Sequence, residues 1–459
     1  MLENYSRRVR AALLRARVRA GDHVRITKQQ QIYEGLLLPR PRTGEPDCIV
    51  LKLVSGYNIG IRFVKGLKIE KLRPDLKTLE RELGLERWRA ALKRRMAFDP
   101  AKPKVSILHT GGTIASRVDY RTGAVVTAFT PEDIVGMFPE LTDIANIRSR
   151  LIRNMWSDDM RFGHYSLIAR EVVKEIAAGA DGIIITHGTD TLHYTAAALS
   201  FILQNLPVPV LLVGAQRSSD RPSTDAFLNL LCAARFIASG DFAGVAVCSH
   251  SSSSDDICWI LPGTKVRKMH TSRRDTFRPI NTAPIAKVEY GTGKIDFIKS
   301  DYLRKDKKRK LRALYNMEER VAILKIHPNM QPDIFDFYRK AGYKGLVLEG
   351  TGLGHIPMYV VDNISKVHAK IADSLKKLTK RCVVVMAPQT IYGRIGMNVY
   401  DKGRDLQELG VIPGSDMLPE TAFVKLAWLL GNFPRIRVTG LIRKNLVGEI
   451  SERITEWLV

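Results

Sequence analysis

No apolar run in the 459-residue sequence approaches the roughly 18–20 residues that a membrane-spanning helix needs. The longest, such as Val208 to Gly214 and Cys382 to Met386, have the length of buried strands. Cysteine is scarce. Cys48, Cys232, Cys248, Cys258 and Cys382 are odd in number, widely spaced and without a CxxC pair. That excludes a disulfide framework and a cysteine zinc site, and it fits a reducing cytoplasm. No GxxxxGK[ST] occurs, so a P-loop for ATP is not expected. Gly350-Thr351-Gly352-Leu353-Gly354 lacks the full GxGxxG of a dinucleotide site. Acid is short as well: 47 Asp and Glu face 72 Lys and Arg, a net charge of +25. Such an excess points to a polyanionic partner, nucleic acid first, with plain solubility charge as the alternative. With 45% hydrophobic and 26% charged residues the chain is neither disordered nor collagen-like.

What is present divides into segments. Residues 1–20 carry six arginines, Arg7, Arg8, Arg10, Arg15, Arg17 and Arg19. They could imitate a transit peptide. Leu2, Val9, Leu13, Leu14 and Val18 follow a rough helical spacing instead, and a basic amphipathic helix is expected. Residues 21–75 hold about five short apolar runs separated by turn signals, which read as a small β-barrel. Residues 76–103 are charged, with Leu79, Leu83, Leu85, Trp88 and Leu92 at helical spacing, and read as a linker helix. From Lys104 to residue 298, compact apolar runs alternate with helix-like stretches, the pattern of a largely parallel α/β sheet. Residues 299–318 form a basic linker, and 319–459 a second, smaller α/β domain. Between Lys299 and Arg312 eight basic residues face two acidic ones; a solvated linker is the plain reading and an RNA contact the sharper one.

Three apolar runs of the first α/β domain end in polar, glycine-rich clusters: His109-Thr110-Gly111-Gly112-Thr113, Thr186-His187-Gly188-Thr189-Asp190-Thr191 and Gly214-Ala215-Gln216. In doubly wound sheets ligands bind beyond the carboxyl ends of the strands, so these clusters are expected to converge. Gly111-Gly112 alone signals only a tight turn. Thr189 or Asp190 alone could be a helix cap, worth about 0.5–2 kcal/mol. A cap accounts for one of these residues and not for the group. Thr113 and Thr189 are hydroxyl nucleophiles that need activation. A lysine held neutral by burial could take the proton, with Asp190 positioning it, as a triad with Lys in place of His. His187 and His193 lack metal-ligand spacing and read as structural histidines.

His109 to Ser116, together with Thr186 to Thr191, resembles the two signature motifs of the bacterial-type L-asparaginase family. Tyr120-Arg121-Thr122-Gly123-Ala124-Val125 is similar to that family's mobile tyrosine loop, and Trp156 to Met160 to its substrate-binding segment. Val266-Arg267-Lys268-Met269-His270 resembles the segment with its catalytic lysine. In the second domain Gly393-Arg394, Gly410 to Gly414 and Asp416-Met417 also fit. Simple asparaginases begin near the GGT strand, whereas this chain has about a hundred residues before it. Gly21 to Ile26, Tyr33 to Leu37, Leu53 to Ile61 and Thr271-Ser272-Arg273-Arg274-Asp275 resemble the glutaminase-subunit family of archaeal glutamyl-tRNA(Gln) amidotransferases. The fold so implied is two asparaginase-like α/β domains with parallel sheets, preceded by a small SH3/Tudor-like β-barrel.

The resemblance implies catalytic Thr113, Thr189, Asp190 and Lys268, with Tyr120, Ser157, Asp158 and Gly112 binding or supporting the substrate. Thr113 would be the nucleophile that attacks the side-chain amide, polarised by Tyr120, with Thr189, Asp190 and Lys268 as the second, proton-transferring set and Asp190 also near the substrate amine. Ser157 and Asp158 would hold the α-carboxylate and α-amino groups. Backbone N–H groups around Gly112 and Thr189 would form the oxyanion hole. Which threonine is acylated is left open. His355 falls where the family places a residue donated by a neighbouring subunit, usually an amide. The implied activity is glutamine hydrolysis, with ammonia delivered to a larger subunit, E, that amidates Glu-tRNA(Gln). No cofactor or metal is expected on this chain. ATP and Mg are expected on the partner, around a homodimeric core of this chain in the cytoplasm. The alternatives are a free-standing L-asparaginase with an extra N-terminal domain, and an RNA-binding protein on an inactive asparaginase fold. The intact Thr113, Thr189, Asp190 and Lys268 set speaks against the last.

Overall fold

The computed structural model describes Leu2 and residues 4–39, 45–53, 58–64, 66–72, 98–112, 116–118, 125–127, 140–217 and 224–453. Helix α1 (Arg7–Arg15) starts at Ser6, whose hydroxyl accepts the Val9 N–H and satisfies a free helix-end donor. Its buried Val9 and Leu13 lie in one core with Val24, Ile26, Leu37, Ile49, Leu51 and Ile61. These come from an antiparallel sheet of β1 (His23–Lys28), β2 (Gln31–Leu37), β3 (Cys48–Leu53), β4 (Asn58–Arg62) and β5 (Lys68–Lys71). The order is β4-β3-β2-β1-β5. Burial of Val24 and Ile26 on alternate positions of β1 shows the period-two pattern that puts one face inward. The Tyr5 hydroxyl donates to the Leu38 carbonyl at 2.7 Å and fastens the chain start to the sheet. The expected basic amphipathic helix thus shares a core with this sheet. The linker helix expected over 76–103 lies largely outside the described residues.

The next domain is built on an eight-stranded sheet. In chain order its strands are β6 (Lys104–His109), β7 (Asn146–Leu151), β8 (Gly182–Thr186), β9 (Pro209–Val213), β10 (Gly244–His250) and β11 (Ile257–Pro262). A separate two-stranded hairpin follows, β12 (Val266–Lys268) with β13 (Phe277–Pro279). Then β14 (Ala286–Glu289) and β15 (Ile295–Phe297) complete the large sheet, in the order β15-β14-β11-β10-β9-β8-β6-β7. β7, β6, β8, β9 and β10 are parallel, and β11, β14 and β15 add antiparallel strands at one edge. Every residue of β8 and β9 is buried, as expected for parallel strands covered on both faces. Helices α2 (Phe162–Ala177), α3 (Leu192–Ile202) and α4 (Ala226–Ser239) provide the cover.

The second α/β domain has four parallel strands in the order β16 (Val321–Lys325), β17 (Gly345–Gly350), β18 (Val383–Pro388) and β19 (Val411–Pro413). Helices α5 (Asp333–Lys340) and α6 (Val367–Thr379) cover one face. After α7 (Asp401–Glu408), helix α8 (Pro419–Asn432) lies on the other face and against α3. Phe201 stacks on Trp428 at that seam, with centroids 5.7 Å apart. Helix α9 (Arg435–Leu441) leads into a tail tied to α8: buried Lys425 meets Glu449 at 2.6 Å and donates to the Ile442 and Lys444 carbonyls. Residues 299–313 are not a free linker. The Ala243 N–H donates to the Leu303 carbonyl at 2.6 Å, and Arg312–Ala313 pairs as a short strand with Leu203–Gln204.

Candidate active site

The glycine-rich clusters meet because four neighbouring strand ends interlock backbone to backbone. Gly112 has φ +80°, and a Cβ there would lie 2.5 Å from the Gly188 nitrogen. Gly111 has φ +110°, and a Cβ there would lie 2.5 Å from the Met155 carbonyl oxygen. Only glycine meets both demands. A Cβ on Gly188 would in turn press on the Ser157 side chain at 2.9 Å. The Thr110 N–H and hydroxyl both donate to the Thr186 carbonyl, at 3.1 and 2.9 Å, and lock the β6 end to the β8 end. Gly112, Gly188, Thr189 and Ser157 are thereby gathered at one edge of the sheet.

Thr189 and Asp190 are not capping residues. The cap position of α3 is Thr191, whose hydroxyl donates to the Ser157 carbonyl at 2.5 Å. The two preceding side chains turn to Lys268 instead. The Lys268 ammonium nitrogen lies 2.8 Å from Thr189 Oγ1 and 2.8 Å from Asp190 Oδ1. The Lys268 side chain is 12% exposed and that of Asp190 64% exposed, so the pair opens on one side to solvent. Ser157 is buried at the start of a short turn, with Asp158 exposed beside it. Thr113 and Tyr120 lie outside the described residues. His355 sits in a tight turn closed by reciprocal backbone bonds with Thr351, its ring 5.5 Å from that of Tyr400.

Lys268 is presented by the β12–β13 hairpin, where it pairs with Phe277. The hairpin loop is fastened through buried Asp275, which accepts from Arg273 at 2.9 and 2.8 Å and also from Arg278. Arg278 donates further to the Ser251 carbonyl at 2.6 Å. Strand alternation sends Lys265 and Arg267 to the other side, into the second domain. Buried Lys265 meets Asp416 at 2.5 Å, and Arg267 meets Glu420 at 2.9 Å. Burial lowers the pKa of Lys265 against the pull of Asp416. Burial raises that of Glu420 against the pull of Arg267. The lysine strand is therefore clamped between the two domains.

Three buried histidines surround the site as neutral groups. Burial pulls His109 to about 4; its ring joins the Thr186 and Ser149 hydroxyls at 2.7 and 2.8 Å. His187 is pulled to about 4 by burial, partly opposed by its bond to the Gly188 carbonyl. Its other nitrogen meets the Thr195 hydroxyl at 2.8 Å. His193 falls to about 3 through burial, reinforced by the nearby charges of Arg267 and Lys268. Its Nδ1 has no hydrogen-bond partner among the described residues. His193, Arg267 and Glu420 were not singled out from the sequence as site residues. An i+4 step from Thr189 on a helix start is the one local signal that could have drawn attention to His193. Among the described residues no cluster of three or more His, Cys, Asp or Glu could hold a metal.

Comparison with known proteins matches three stretches. Residues 104–301 match the family "Asparaginase, N-terminal", 320–437 the "Glutaminase/Asparaginase C-terminal domain" and 18–72 the "GatD N-terminal domain". The chain is 44% identical over 455 residues to the D subunit of the Pyrococcus abyssi glutamyl-tRNA(Gln) amidotransferase, covering 97% of this chain and 98% of that one. It is 45% identical over 451 residues to the D subunit of the Methanothermobacter thermautotrophicus enzyme, covering 98% of each. Among solved structures, the thermostable L-asparaginase from Thermococcus kodakarensis superposes with a TM-score of 0.66 at 31% identity. That match covers 76% of this chain and all of the other.

Proposed function

The chain belongs to the family of glutamyl-tRNA(Gln) amidotransferase D subunits, and from that premise we propose that it is the glutaminase subunit of such an enzyme. It hydrolyses glutamine to glutamate and ammonia and passes the ammonia to a larger subunit, E, which converts Glu-tRNA(Gln) to Gln-tRNA(Gln). The observation that carries the chemistry is the Thr189–Lys268–Asp190 constellation, with both contacts to the lysine nitrogen at 2.8 Å.

The Lys268 side chain takes up the hydroxyl proton as threonine oxygen attacks the side-chain amide carbon of glutamine. Thr113 and Thr189 are the two candidates for that oxygen. The C–N bond breaks, the nitrogen takes up the proton and leaves as ammonia, and an acyl ester remains on the threonine. Water, giving its proton to the same lysine, cleaves the ester to glutamate, and the lysine returns that proton to the departing threonine oxygen, which restores the hydroxyl. Asp190 holds the lysine in place. Backbone N–H groups around Gly112 and Thr189 stabilise the oxyanion, a contribution of a few kcal/mol. Ser157 and Asp158 receive the α-carboxylate and α-amino groups, and Tyr120 polarises the nucleophile. ATP and Mg act on the partner, which activates the acceptor ester. The complex works in the cytoplasm around a homodimer of this chain. His355 and the exposed Val361 and Ile364 are the surface we assign to the second copy.

A free-standing L-asparaginase has the same site in its favour, and the asparaginase superposition covers only 76% of the chain. The domain at 18–72 favours the amidotransferase assignment. The deciding experiment is reconstitution. This chain alone should release ammonia from glutamine and fail to amidate Glu-tRNA(Gln) with ATP, and addition of the larger subunit should restore amidation. Full amidation by this chain alone would sink the two-subunit reading, and hydrolysis of asparagine but not glutamine would favour the asparaginase.

A further inference from the structure

The cation-rich segment from Lys299 to Arg312 is largely spent on the protein itself. Arg304 pairs with Asp241, and Lys307 with Asp181 at 2.5 Å. Arg309 donates to the Leu206 and Arg304 carbonyls at 2.9 Å. Lys305 reaches the Ile237 carbonyl, and burial lowers its pKa. Lys308, Lys310 and Arg312 are the exposed cations left there without a carboxylate among the described residues. A different surface holds cations in a register that the fold fixes.

β16, β17 and β18 run side by side in parallel, with Val321 opposite Gly345 and Gly345 opposite Val383. The residues that lead into these strands are Arg320, Lys344 and the Arg381-Cys382 pair. Their backbones are joined: the Lys344 N–H donates to the Arg320 carbonyl and the Val383 N–H to the Lys344 carbonyl, each at 2.8 Å. Neighbouring strands lie about 4.8 Å apart, so Arg320 and Lys344 stand at matching positions on adjacent strands, and exposed Arg381 precedes buried Cys382, the matching position on β18. Arg435 at the start of α9 extends the row. It donates to the Thr379 and Lys380 carbonyls at 2.7 Å and so brings α9 to the end of α6, beside exposed Lys380 and Arg381. Lys344, Lys380 and Arg381 have no carboxylate in ion-pair contact among the described residues. The nearby acids are committed elsewhere. Glu318 accepts the Arg320 N–H at 3.0 Å, Glu319 faces Arg161 at 3.5 Å, and Asp373 holds Lys377 at 2.6 Å. Leaving a row of like charges unpaired costs self-repulsion, and a bound polyanion removes that cost.

We propose that the rim formed by Lys344, Lys380 and Arg381, flanked by Arg320 and Arg435 whose guanidinium groups also bond to backbone carbonyls, at the amino ends of the second sheet, is a contact surface for the phosphate backbone of RNA. This rests on the tRNA-dependent reading above and adds the place where this chain touches the nucleic acid. The rim is at the end of the strands away from the turns at Gly350 and Gln389, so it holds RNA without entering the glutaminase site. Its contacts are to phosphate and carry affinity and orientation rather than sequence readout.

The test uses the full chain and an unmodified tRNA(Gln) transcript, with affinity measured between about 50 and about 200 mM salt. Each neutralised phosphate contributes a slope of about −0.7 to −0.9 in log K against log salt. The triple variant Lys344→Glu, Lys380→Glu, Arg381→Glu should flatten the slope by about 2 and weaken binding at least tenfold at low salt. The same three positions changed to Gln should show a smaller loss in the same direction and guard against an effect of misfolding. Glutamine hydrolysis should stay within about twofold of the parent in both variants. An unchanged slope and affinity in the Glu variant overturns the proposal, as does a parent chain that fails to bind the transcript at the lower salt. So does a polyglutamate chain that binds as tightly as the RNA and loses as much in the variant, which would make the rim a docking site for an acidic protein. None of these outcomes touches the glutaminase reading, which stands or falls on ammonia release and reconstitution.

Discussion

At the scale of single residues, the hydroxyl of Thr189 and the amine of Lys268 form a direct contact through which a proton can pass. Valine matches threonine in shape and lacks the oxygen, so Thr189→Val removes the contact and leaves the packing against Gly214 intact. Ammonia release from glutamine should fall by about 10³-fold or more with the melting temperature almost unchanged. The same loss is expected of Thr113→Val. Lys268→Arg should be just as inactive, because a guanidinium does not give up its proton at working pH. Substantial turnover by the Lys268→Arg enzyme would remove the lysine from proton transfer. His193 reads from sequence as a structural histidine, and what stayed hidden is its closeness to Lys268. That closeness depends on a hairpin about 75 residues further along the chain. Thr189 and Asp190 were legible because a strand end, a glycine and two functional groups coincide in five residues.

Among the elements, the β12–β13 hairpin matters most, since it carries Lys268 without belonging to the large sheet. Its rigidity comes from Asp275, buried and held by two arginines. Asp275→Asn keeps the size of the side chain and removes the charge that both arginines face. The loop should loosen and Lys268 should drift from Thr189. A misplacement of about 1 Å can cost roughly 100-fold in rate. We expect kcat for glutamine to fall about 10- to 100-fold with KM little changed, whereas a purely structural role would lower the yield of folded enzyme and leave kcat per active molecule alone. The hairpin also shows what pattern reading reaches. Lys268 was legible through the resemblance of Val266 to His270 to a catalytic-lysine segment. The anchoring of Lys265 and Arg267 was not legible, because Asp416 and Glu420 lie in another domain about 150 residues away. For the same reason the basic run at 299–312 looked like free charge, although its partners Asp181 and Asp241 had already passed in the sequence. The helix at the chain start was legible as amphipathic, and the sheet beneath it explains why its apolar face exists.

For the whole molecule, the buried neutral histidines set a dependence of stability on pH. The folded-state pKa values of His109 and His187 are lowered from 6.5 to about 4, and that of His193 to about 3. Below about pH 6.5 the unfolded chain therefore takes up protons that the folded chain refuses. Stability contributed by these groups is complete above that pH and is lost as pH falls toward 4, with His193 continuing to about 3. Each differential proton contributes about 1.4 kcal/mol per pH unit. Glu420 acts with the opposite sign, since burial raises its pKa, but it is one group against these three and His355, whose pKa burial also lowers. Carboxylates whose pKa is lowered by ion pairs, such as Asp181 and Asp255, act in the window below about 4. Unfolding free energy measured in urea should thus be nearly flat between about pH 8 and 7 and fall with a slope approaching three protons between about pH 6 and 4. His109 offers the clean test, because both its ring nitrogens meet hydroxyls that an amide can also satisfy. His109→Gln should reduce the slope between about pH 6 and 4 by up to one proton while leaving the value near pH 7.5 within about 2 kcal/mol of the parent. A slope identical to the parent's would mean that His109 takes up its proton in the folded state, and the buried neutral reading of that ring would have to be given up.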